Sequence, residues 1–341
     1  MGKIKTWMSN ARDISVPQSL LPCILTIAMV ATEPHFSWWL AIIATIGVVC
    51  AHMGMNLADD YFDYKKDTTR IRAQVIDEGK KTHMEKCHYL LDGSATVKDL
   101  TGAICCFLGV AGLLGLVVVI AQGLRMGWQV SGQIAGVAIG GLLLGLSYSG
   151  GPLKLGYRGF GEWVIGIMFG PLLMIGMSLG TCGVVHGNLV LISIAIGLMV
   201  TNIGYVHSVM DTRVDSLSNR ITFAVLVKSK VAMLIALGCF AFIPFIIVIG
   251  GVLCGLLHWS YLFTLVLVPL SIYLIYSTHA FLYNKEISTE PRWWKGPMGD
   301  WETYKKYDMD WFLARWLVAR NIITFFCLIL VIVNIILAIV Y

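Results

Sequence analysis

Nine long apolar stretches run through this sequence, and they constrain its fold more than any other feature. Each has about the 20 residues that an α-helix needs to span roughly 30 Å of hydrocarbon. All are rich in Leu, Ile, Val, Gly and Ala and lack the alternation of a barrel strand, so we expect helices. The predicted spans are 16–33, 36–57, 100–121, 130–149, 160–182, 187–209, 231–254, 259–284 and 318–340.

Composition points to an integral membrane protein. Of the 341 residues, 57% are hydrophobic and only 13% are charged, whereas a soluble domain carries about 25% charged residues. Such a chain cannot bury its apolar side chains in one water-soluble core. The fold class that we predict is all-α, a polytopic membrane protein of nine transmembrane helices in which residues 1–341 form a single membrane-embedded domain.

The positive charges lie on one side of this arrangement. Of the 25 Lys and Arg residues, all but Arg125 fall in the amino terminus, in or beside every second connection, or at the start of the last span. By the positive-inside rule, the amino terminus is cytoplasmic and the carboxyl terminus lies outside a cytoplasmic or inner membrane. The net charge of +5 then reflects topology, so no nucleic-acid partner is expected. The predicted cytoplasmic loops are 58–99, 150–159, 210–230 and 285–317.

An acidic stripe ends the second apolar stretch. Asn56, Asp60, Asp63 and Asp67 lie at i, i+4, i+7 and i+11, which places them on one narrow face of a helix. Carboxylates packed this closely repel unless a cation lies among them, and hard oxygen ligands suit Mg²⁺ or Ca²⁺. We therefore predict that these four residues are metal ligands. Asp59 lies off the stripe, either as a supporting residue or as a solvated side chain.

A second acidic pair follows four helices later. Asp211 and Asp215 lie at i and i+4 after the sixth stretch, so they share a face and are predicted metal ligands too. The matching placement suggests a weak internal repeat of four helices, and paired polar helix ends often mark a binding site in membrane proteins. His207 lies at i−4 from Asp211, on the same face of the helix. It is a metal ligand, a base beside the acceptor, or a structural histidine held by a hydrogen bond.

Two acid clusters at one membrane face can hold a diphosphate through two Mg²⁺ ions, with the ligand tail between apolar helices. An isoprenyl diphosphate has both the diphosphate group and the apolar tail that such a site would bind. Loss of its diphosphate leaves an allylic cation that needs a water-poor chamber. A solvated acidic helix end or a structural Ca²⁺ site is the alternative interpretation. The basic side chains available for the remaining phosphate charge are Lys65, Lys66, Arg70, Lys154, Arg213 and Arg220.

Several motifs extend this pattern over about residues 10–335. They are the two acidic runs, the tail Arg220-Ile221-Thr222-Phe223-Ala224, the stretch 146–162 (LSYSGGPLKLGYRGFGE), Phe169-Gly170-Pro171 and Ala11-Arg12. The acidic runs and the tail resemble the two Asp-rich motifs of the UbiA-type intramembrane prenyltransferases. The other three are similar to segments of the MenA branch of that family, the 1,4-dihydroxy-2-naphthoate polyprenyltransferases of menaquinone biosynthesis.

This resemblance implies a nine-helix bundle around a central chamber, two Mg²⁺ ions, a polyprenyl diphosphate and a dihydroxynaphthoate-like aromatic acceptor that loses its carboxylate. Asn56, Asp60 and Asp63, with Asp67 close by, would bind the first ion, and Asp211 and Asp215 the second. Tyr148 and Lys154 would act near the diphosphate and the acceptor. Two alternatives remain open, namely that Tyr148 is an interfacial anchor and that Lys154 and Arg158 are ordinary positive-inside residues. The remaining substrate-binding positions that we assign are Lys66, Arg70, Arg158, His207 and Arg220.

The sequence departs from the family pattern at three places. His88 stands where relatives carry an arginine, with Lys86 as a possible substitute, and Met210 replaces an arginine of the second motif. The segment 285–317 is longer than expected, is crowded with tryptophans that we interpret as interfacial anchors, and is predicted to hold an interfacial helix near 300–316. The resemblance therefore supports the metal-binding and diphosphate-binding residues more strongly than it supports the identity of the acceptor.

Three function classes follow from these observations. The first is an aromatic prenyltransferase, in which the acceptor captures the allylic cation. The second keeps the ionisation step but gives the cation another fate, namely another aromatic acceptor, a lipid acceptor or terpene cyclisation. The third, a cation or solute transporter, is disfavoured because transporters place ionisable residues near the bilayer midplane, whereas the acids here cluster at one face.

Overall fold

The computed structural model describes residues 3–66, 71, 74 and 87–340. Among these residues, nine helical segments are long and apolar enough to cross a membrane, and no strand occurs. The prediction of an all-α bundle with nine spans is thereby confirmed. The spans are α2 (Pro17–Val30), α3 (Trp38–Lys65), α5 (Val97–Met126), α6 (Trp128–Ser149), α7 and α8 (Gly161–Ile167 and Leu173–Cys182, joined by a π-helical turn), α9 (Gly187–Leu217), α11 (Lys230–Leu253), the 3₁₀ segment Trp259–Leu267 continuing into α12 (Val268–Leu282), and α14 (Asp310–Val340).

Short helices cover the polar end of the bundle, which is the end where α3 and α9 terminate. They are α1 (Lys3–Asn10), α4 (His88–Leu91), α10 (Phe223–Val227) and α13 (Trp301–Lys306). The single interfacial helix predicted near 300–316 is wrong in its extent. Asp308, with φ of 51°, lies between α13 and α14, and the last span already begins at Asp310. A positive φ at a residue other than glycine interrupts a right-handed helix.

Three spans extend by eight residues at one end beyond their predicted apolar stretches. The second predicted span ended at 57 and the sixth at 209, yet α3 continues to Lys65 and α9 to Leu217. The last span starts eight residues earlier than predicted, at Asp310 instead of 318. Hydropathy alone ends a span at its first charged residues. Here the added turns stay helical because their polar side chains have partners elsewhere in the bundle.

The main core surrounds α9, the most buried span, and includes large side chains such as Tyr205, Phe312 and Phe326. The backbone of α9 is approached very closely by the π-helical turn Met168–Leu172. A Cβ on Gly170 would lie 2.4 Å from the Ser193 carbonyl oxygen and 2.5 Å from Gly197 Cα. Only glycine fits there, and small residues commonly allow such approaches between membrane helices.

A second, smaller core lies beside the end of α3. Ala11, Leu57, Cys87, Tyr89 and Leu100 are buried in it, and Trp7 of α1 packs against it. The amino-terminal helix and α4 are therefore held against the acidic turns of α3. This packing places polar groups from three distant parts of the chain around those turns.

Candidate active site

The first acidic cluster lies on the last turns of α3 and is already paired with a guanidinium group. Arg12 forms an ion pair with Asp60 and lies 3.4 Å from Asp59, and it also donates a hydrogen bond to the Asn56 carbonyl oxygen. Burial by itself lowers the pKa of Arg12, but the nearby carboxylates of Asp60 and Asp59 raise that pKa above its ordinary value. A cation therefore does lie among these carboxylates, as their spacing requires.

Asn56 and Asp60 are held by neighbours from the small core. The Asn56 amide donates to the Ala11 carbonyl oxygen at 2.9 Å, and the Tyr89 hydroxyl donates to Asp60 Oδ2 at the same distance. Trp7 packs edge-on against Tyr89, with ring centroids 5.7 Å apart. The amino-terminal segment and α4 thus form one side of the site and fix the Asp60 carboxylate, which is 2% exposed.

The segment 150–160 closes the opposite side. The Tyr157 hydroxyl donates to Asp63, and the Ser149 hydroxyl donates to Asp59. Asp59 therefore lies inside a hydrogen-bonded network, so the solvated alternative considered for it is wrong. Lys66 donates to the Ser149 carbonyl oxygen at 2.5 Å, and its ammonium lies 3.8 Å from the centre of the Tyr157 ring.

The second acidic cluster lies on the last turns of α9. Asp211 is fully buried and Asp215 nearly so. His207 Nε2 lies 3.2 Å from Asp211 Oδ2, and its ring packs edge-on against Phe312 at 5.2 Å. His207 is therefore hydrogen-bonded to an acid of the cluster, in line with one of the three interpretations of its position.

Arg220 joins the two clusters. Its Nη1 lies 3.5 Å from Asp63 Oδ2, its Nη2 donates to the Tyr148 hydroxyl at 3.2 Å, and its backbone N–H donates to the Asp215 carbonyl oxygen. Burial lowers the pKa of Arg220, but Tyr148 and the carboxylates of Asp63, Asp59 and Asp215 raise it well above its usual value. Arg220 thus contacts α3 and α6 through its guanidinium and the end of α9 through its backbone N–H.

Tyr148 is held in place by glycines of the segment that follows it. A Cβ on Gly156 would lie 3.1 Å from the Tyr148 carbonyl oxygen and 3.2 Å from its ring. Glycine at this position therefore lets the chain fold back onto the ring. The glycine-rich stretch 150–161 orients the Tyr148 hydroxyl towards Arg220, which is a structural reason for its composition.

Positive charge gathers beside the carboxylates. Burial lowers the pKa of Lys66, Asp63 counteracts this, and the charges of Lys154 and Arg220 lower it further. Lys154 is exposed on the segment 150–160, with a left-handed backbone conformation, and Arg158 is exposed on the same segment. Cations on one side and buried carboxylates on the other create a site that attracts an anion together with metal ions.

The structure brings together seven of the predicted site residues, namely Asn56, Asp60, Asp63, Lys66, Tyr148, Asp215 and Arg220, while Asp211 lies one turn before Asp215 on α9. Lys154 and Arg158 lie at its exposed edge, and His207 lies against the second cluster. Asp67 and Arg70 lie outside the described residues. Within the described part of the chain, no three His, Cys, Asp or Glu side chains converge closely enough to enclose a metal ion by themselves.

Sequence reasoning did not assign Arg12, Tyr89 and Tyr157 to the site. Each reaches an acid of α3 from a distant part of the chain, over 48, 29 and 94 residues. Arg12 had a signal in the sequence, because the Ala11-Arg12 pair belongs to the resemblance. Tyr157 lies in the glycine-rich stretch 146–162. Tyr89 carries no motif that could have pointed to Asp60.

Known proteins resemble this chain in sequence or in fold. Residues 19–296 match the profile of the UbiA prenyltransferase family. A Mycobacterium tuberculosis 1,4-dihydroxy-2-naphthoate octaprenyltransferase is 26% identical over 66% of this chain and 70% of its own length.

Two solved structures superpose on nearly the whole chain. One is a digeranylgeranylglyceryl phosphate synthase, with a TM-score of 0.61 and 16% identity, covering 98% of this chain and 99% of the other. The second is a UbiA homologue from Archaeoglobus fulgidus bound to DMAPP and Mg²⁺, with a TM-score of 0.54 and 14% identity over 93% of this chain and 99% of the other. At these identities the likeness concerns the fold.

Proposed function

The chain belongs to the UbiA prenyltransferase family and is an integral membrane prenyltransferase, and from this premise we propose that it transfers a polyprenyl group from an isoprenyl diphosphate to an aromatic acid of the dihydroxynaphthoate type. The observation that carries the proposal is the position of Arg220, which pairs with Asp63 of the first cluster and is attracted by Asp215 of the second. Its guanidinium lies beside Lys66 and Tyr148, where a diphosphate would meet positive charge and buried oxygen ligands together.

The donor set of the two clusters suits Mg²⁺. Each described cluster offers two carboxylates, and Mg²⁺ is usually held by one or two carboxylates plus substrate phosphates instead of a cage made only of protein. We assign Asp60 and Asp63, with Asn56 and Asp67, to the first ion and Asp211 and Asp215 to the second. When bound, the ions neutralise the charge that develops on the leaving diphosphate. Arg12 and Arg220 carry the compensating positive charge in the structure described here.

The protein's own cations complete the diphosphate site. Lys66 and Arg220, with Lys154 at the edge, supply ammonium and guanidinium donors for the phosphate oxygens. The prenyl tail would then extend from the acids into the bundle. Half-buried apolar side chains lie on that side, where Met55 and Met168 both approach Gly145 and Phe169 packs on His52. Such a surface excludes water from a carbocation.

The reaction conserves atoms and charge as follows. The C–O bond of the allylic diphosphate breaks and its electron pair leaves with the diphosphate. The ring carbon that bears the acceptor carboxylate forms the new C–C bond to the allylic cation, and the carboxyl group departs as CO₂. Tyr148 accepts a hydrogen bond from Arg220 and so keeps that guanidinium oriented towards the leaving group.

The acceptor class rests on the sequence relatives. The Mycobacterium tuberculosis relative is named as an octaprenyltransferase for 1,4-dihydroxy-2-naphthoate, whereas the synthase with the similar fold is named for a glycerol phosphate lipid. The first match is a sequence match at 26% identity, whereas the second is a likeness of fold at 16% identity, so we propose the aromatic acid. From the positive-inside pattern, we also propose that the amino terminus and the site face the cytoplasm.

A product analysis tests this function. Purified protein with Mg²⁺ and geranylgeranyl diphosphate is incubated with a panel of aromatic acids and with a glycerol phosphate lipid, and the products are identified by mass. We expect a prenylated, decarboxylated adduct of the naphthoate only. The isosteric variants Asp60→Asn and Asp211→Asn should lose the product, while Glu302→Gln, which changes an exposed carboxylate of α13, should keep it. A prenylated lipid or a cyclised hydrocarbon would overturn the acceptor assignment.

A further inference from the structure

The segment between the last two spans forms a cleft with two basic residues in its wall, and the proposed reaction does not use it. The cleft has a volume of about 420 Å³, within the usual range for small-ligand sites of roughly 300–1,000 Å³. It lies between the end of α12 and the start of α14, and Phe281, Lys285, Glu286, Trp311 and Arg315 contribute to its walls. This is the same segment whose length departs from the family pattern.

Arg315 is a buried cation in the wall of this cleft. Its residue is only 4% exposed. Nε donates to the Ser277 carbonyl oxygen at 2.8 Å, Nη1 donates to the Trp311 carbonyl oxygen, and the guanidinium lies 5.1 Å from the centre of the Phe281 ring. Among the described residues, none accepts a hydrogen bond from Nη2 and no carboxylate forms an ion pair with Arg315.

Lys295 is a second buried cation in the same segment. It is 3% exposed, and its ammonium donates to the Glu290 carbonyl oxygen at 2.7 Å and lies 4.9 Å from the centre of the Tyr273 ring. Burial lowers the pKa of Lys295 and the charge of Arg292 lowers it further, the Glu290 carboxylate raises it, and the charge of Arg315 lowers it. In the described part of the chain, no ion pair joins Lys295 to a carboxylate either.

The acids of the segment make their direct contacts elsewhere or lie at the cleft edge, and Asp310 and Glu290 attract Arg315 and Lys295 without forming ion pairs with them. Glu290 pairs with Lys305 at the surface, and Asp310 accepts a hydrogen bond from Thr289. Glu286 is exposed in the cleft wall and directly follows the exposed Lys285 in the sequence. Buried charges are normally paired, so the excess positive charge of this cleft is compatible with an anion as its ligand.

Aromatic side chains place the cleft at a membrane boundary. Phe281 and Trp311 stack in its wall, with ring centroids 5.6 Å apart and an angle of 13°. Trp293, Trp294 and Tyr276 are exposed nearby, and aromatic residues of this kind concentrate at the headgroup level of a bilayer. Basic pockets between membrane helices at that level suit the head groups of acidic lipids.

We propose that the cleft between α12 and α14 binds the phosphate group of an anionic phospholipid, with Arg315 and Lys285 as the phosphate ligands and the Phe281–Trp311 stack beside the glycerol backbone. The next residue after Trp311, Phe312, packs on His207. The lipid would therefore lie one aromatic layer away from the second acidic cluster, outside the diphosphate site.

Lipid binding to the detergent-purified full-length protein tests this proposal. The unfolding midpoint and the bound lipids, identified by native mass spectrometry, are measured with phosphatidylglycerol, with phosphatidylcholine and with inorganic phosphate. We expect phosphatidylglycerol alone to raise the midpoint and to remain bound. Arg315→Gln and Lys285→Gln should each weaken its binding by about tenfold or more, as expected for loss of one charge-assisted hydrogen bond.

Two controls make the outcome decisive. Lys306→Gln removes an exposed lysine of the same segment outside the cleft and should bind phosphatidylglycerol like the unmodified protein. If Arg315→Gln does not fold, Lys285→Gln carries the test, because Lys285 is exposed and makes no buried contact that folding needs. Equal stabilisation by both lipids, or unchanged binding in Lys285→Gln, would refute the site. Competition by inorganic phosphate at similar concentration would show a free-anion site instead of a lipid site.

Discussion

Substitution of Arg220 by glutamine tests the link between the two acidic clusters. The variant removes the ion pair with Asp63. Both side chains of this pair are largely buried, with 1% of Asp63 and 11% of Arg220 exposed. Breaking a buried pair typically costs about 3–5 kcal/mol because a charge is left without compensation. Tyr157 still donates to Asp63, so we expect the lower end of that range, about 3 kcal/mol, in the free energy of unfolding.

The same substitution should slow the reaction. Losing a hydrogen bond to a charged group is worth about 1.5–3 kcal/mol, and each 1.36 kcal/mol is about tenfold in rate. We therefore expect diphosphate release to fall by roughly 10- to 150-fold at saturating substrate. Arg220→Lys keeps the charge but loses the two-pronged contact with Asp63 and Tyr148, so its activity should be intermediate.

The assay is Mg²⁺-dependent diphosphate release, read together with unfolding in detergent. Lys228→Gln is the matched control, since Lys228 is exposed on the same connection between α9 and α11 and should behave like the unmodified protein. Wild-type rates together with wild-type stability in Arg220→Gln would refute the reasoning, because loss of a buried guanidinium that pairs with Asp63 and contacts Tyr148 must lower at least one of the two.

Three further predictions concern packing, the first cluster and the ions. Gly170→Ala should lower the free energy of unfolding by at least about 1–3 kcal/mol through overpacking against α9, whereas Gly112→Ala, at an open position of α5, should not; denaturation in detergent measures both. Tyr89→Phe removes the 2.9 Å hydrogen bond to Asp60 and should destabilise the protein by about 1.5–3 kcal/mol, measured in the same way. Chelation of divalent ions should abolish product formation, and added Mg²⁺ should restore it, measured by product mass.

Each of these has a contradicting result. Unchanged stability of Gly170→Ala would mean that α9 can move away from the turn Met168–Leu172. Unchanged stability of Tyr89→Phe would mean that Arg12 alone satisfies Asp60. Full turnover after chelation would remove the ions from the proposed reaction and leave the cationic side chains as the only diphosphate ligands.

The helices could be predicted from sequence because hydropathy is a local property. A run of about 20 apolar residues has few alternatives to a membrane-spanning helix, since every backbone polar group must be satisfied internally. The predicted spans were too short at the carboxyl ends of α3 and α9 and at the amino end of α14. Their polar turns are helical because of partners such as Arg12 and Tyr157, which hydropathy does not register.

The same distinction between local and tertiary features applies to the candidate site. Helical spacing predicted that Asp60 and Asp63 share a face, as do Asp211 and Asp215, because that relation depends only on neighbours along one helix. The contacts of Arg12, Tyr89 and Tyr157 depend on tertiary packing between distant segments, so spacing could not reveal them. The roles assigned to Asp67 and Arg70 lie outside the described residues and stay predictions.

The balance between donor cleavage and acceptor prenylation tests the central claim most directly. The central claim is that the two clusters and Arg220 hold a prenyl diphosphate for transfer to an aromatic acid. With Mg²⁺, geranylgeranyl diphosphate and 1,4-dihydroxy-2-naphthoate, the account predicts one released diphosphate for each prenylated, decarboxylated product molecule. Diphosphate release at the same rate without the aromatic acid, or no release at all from the folded protein, would contradict it.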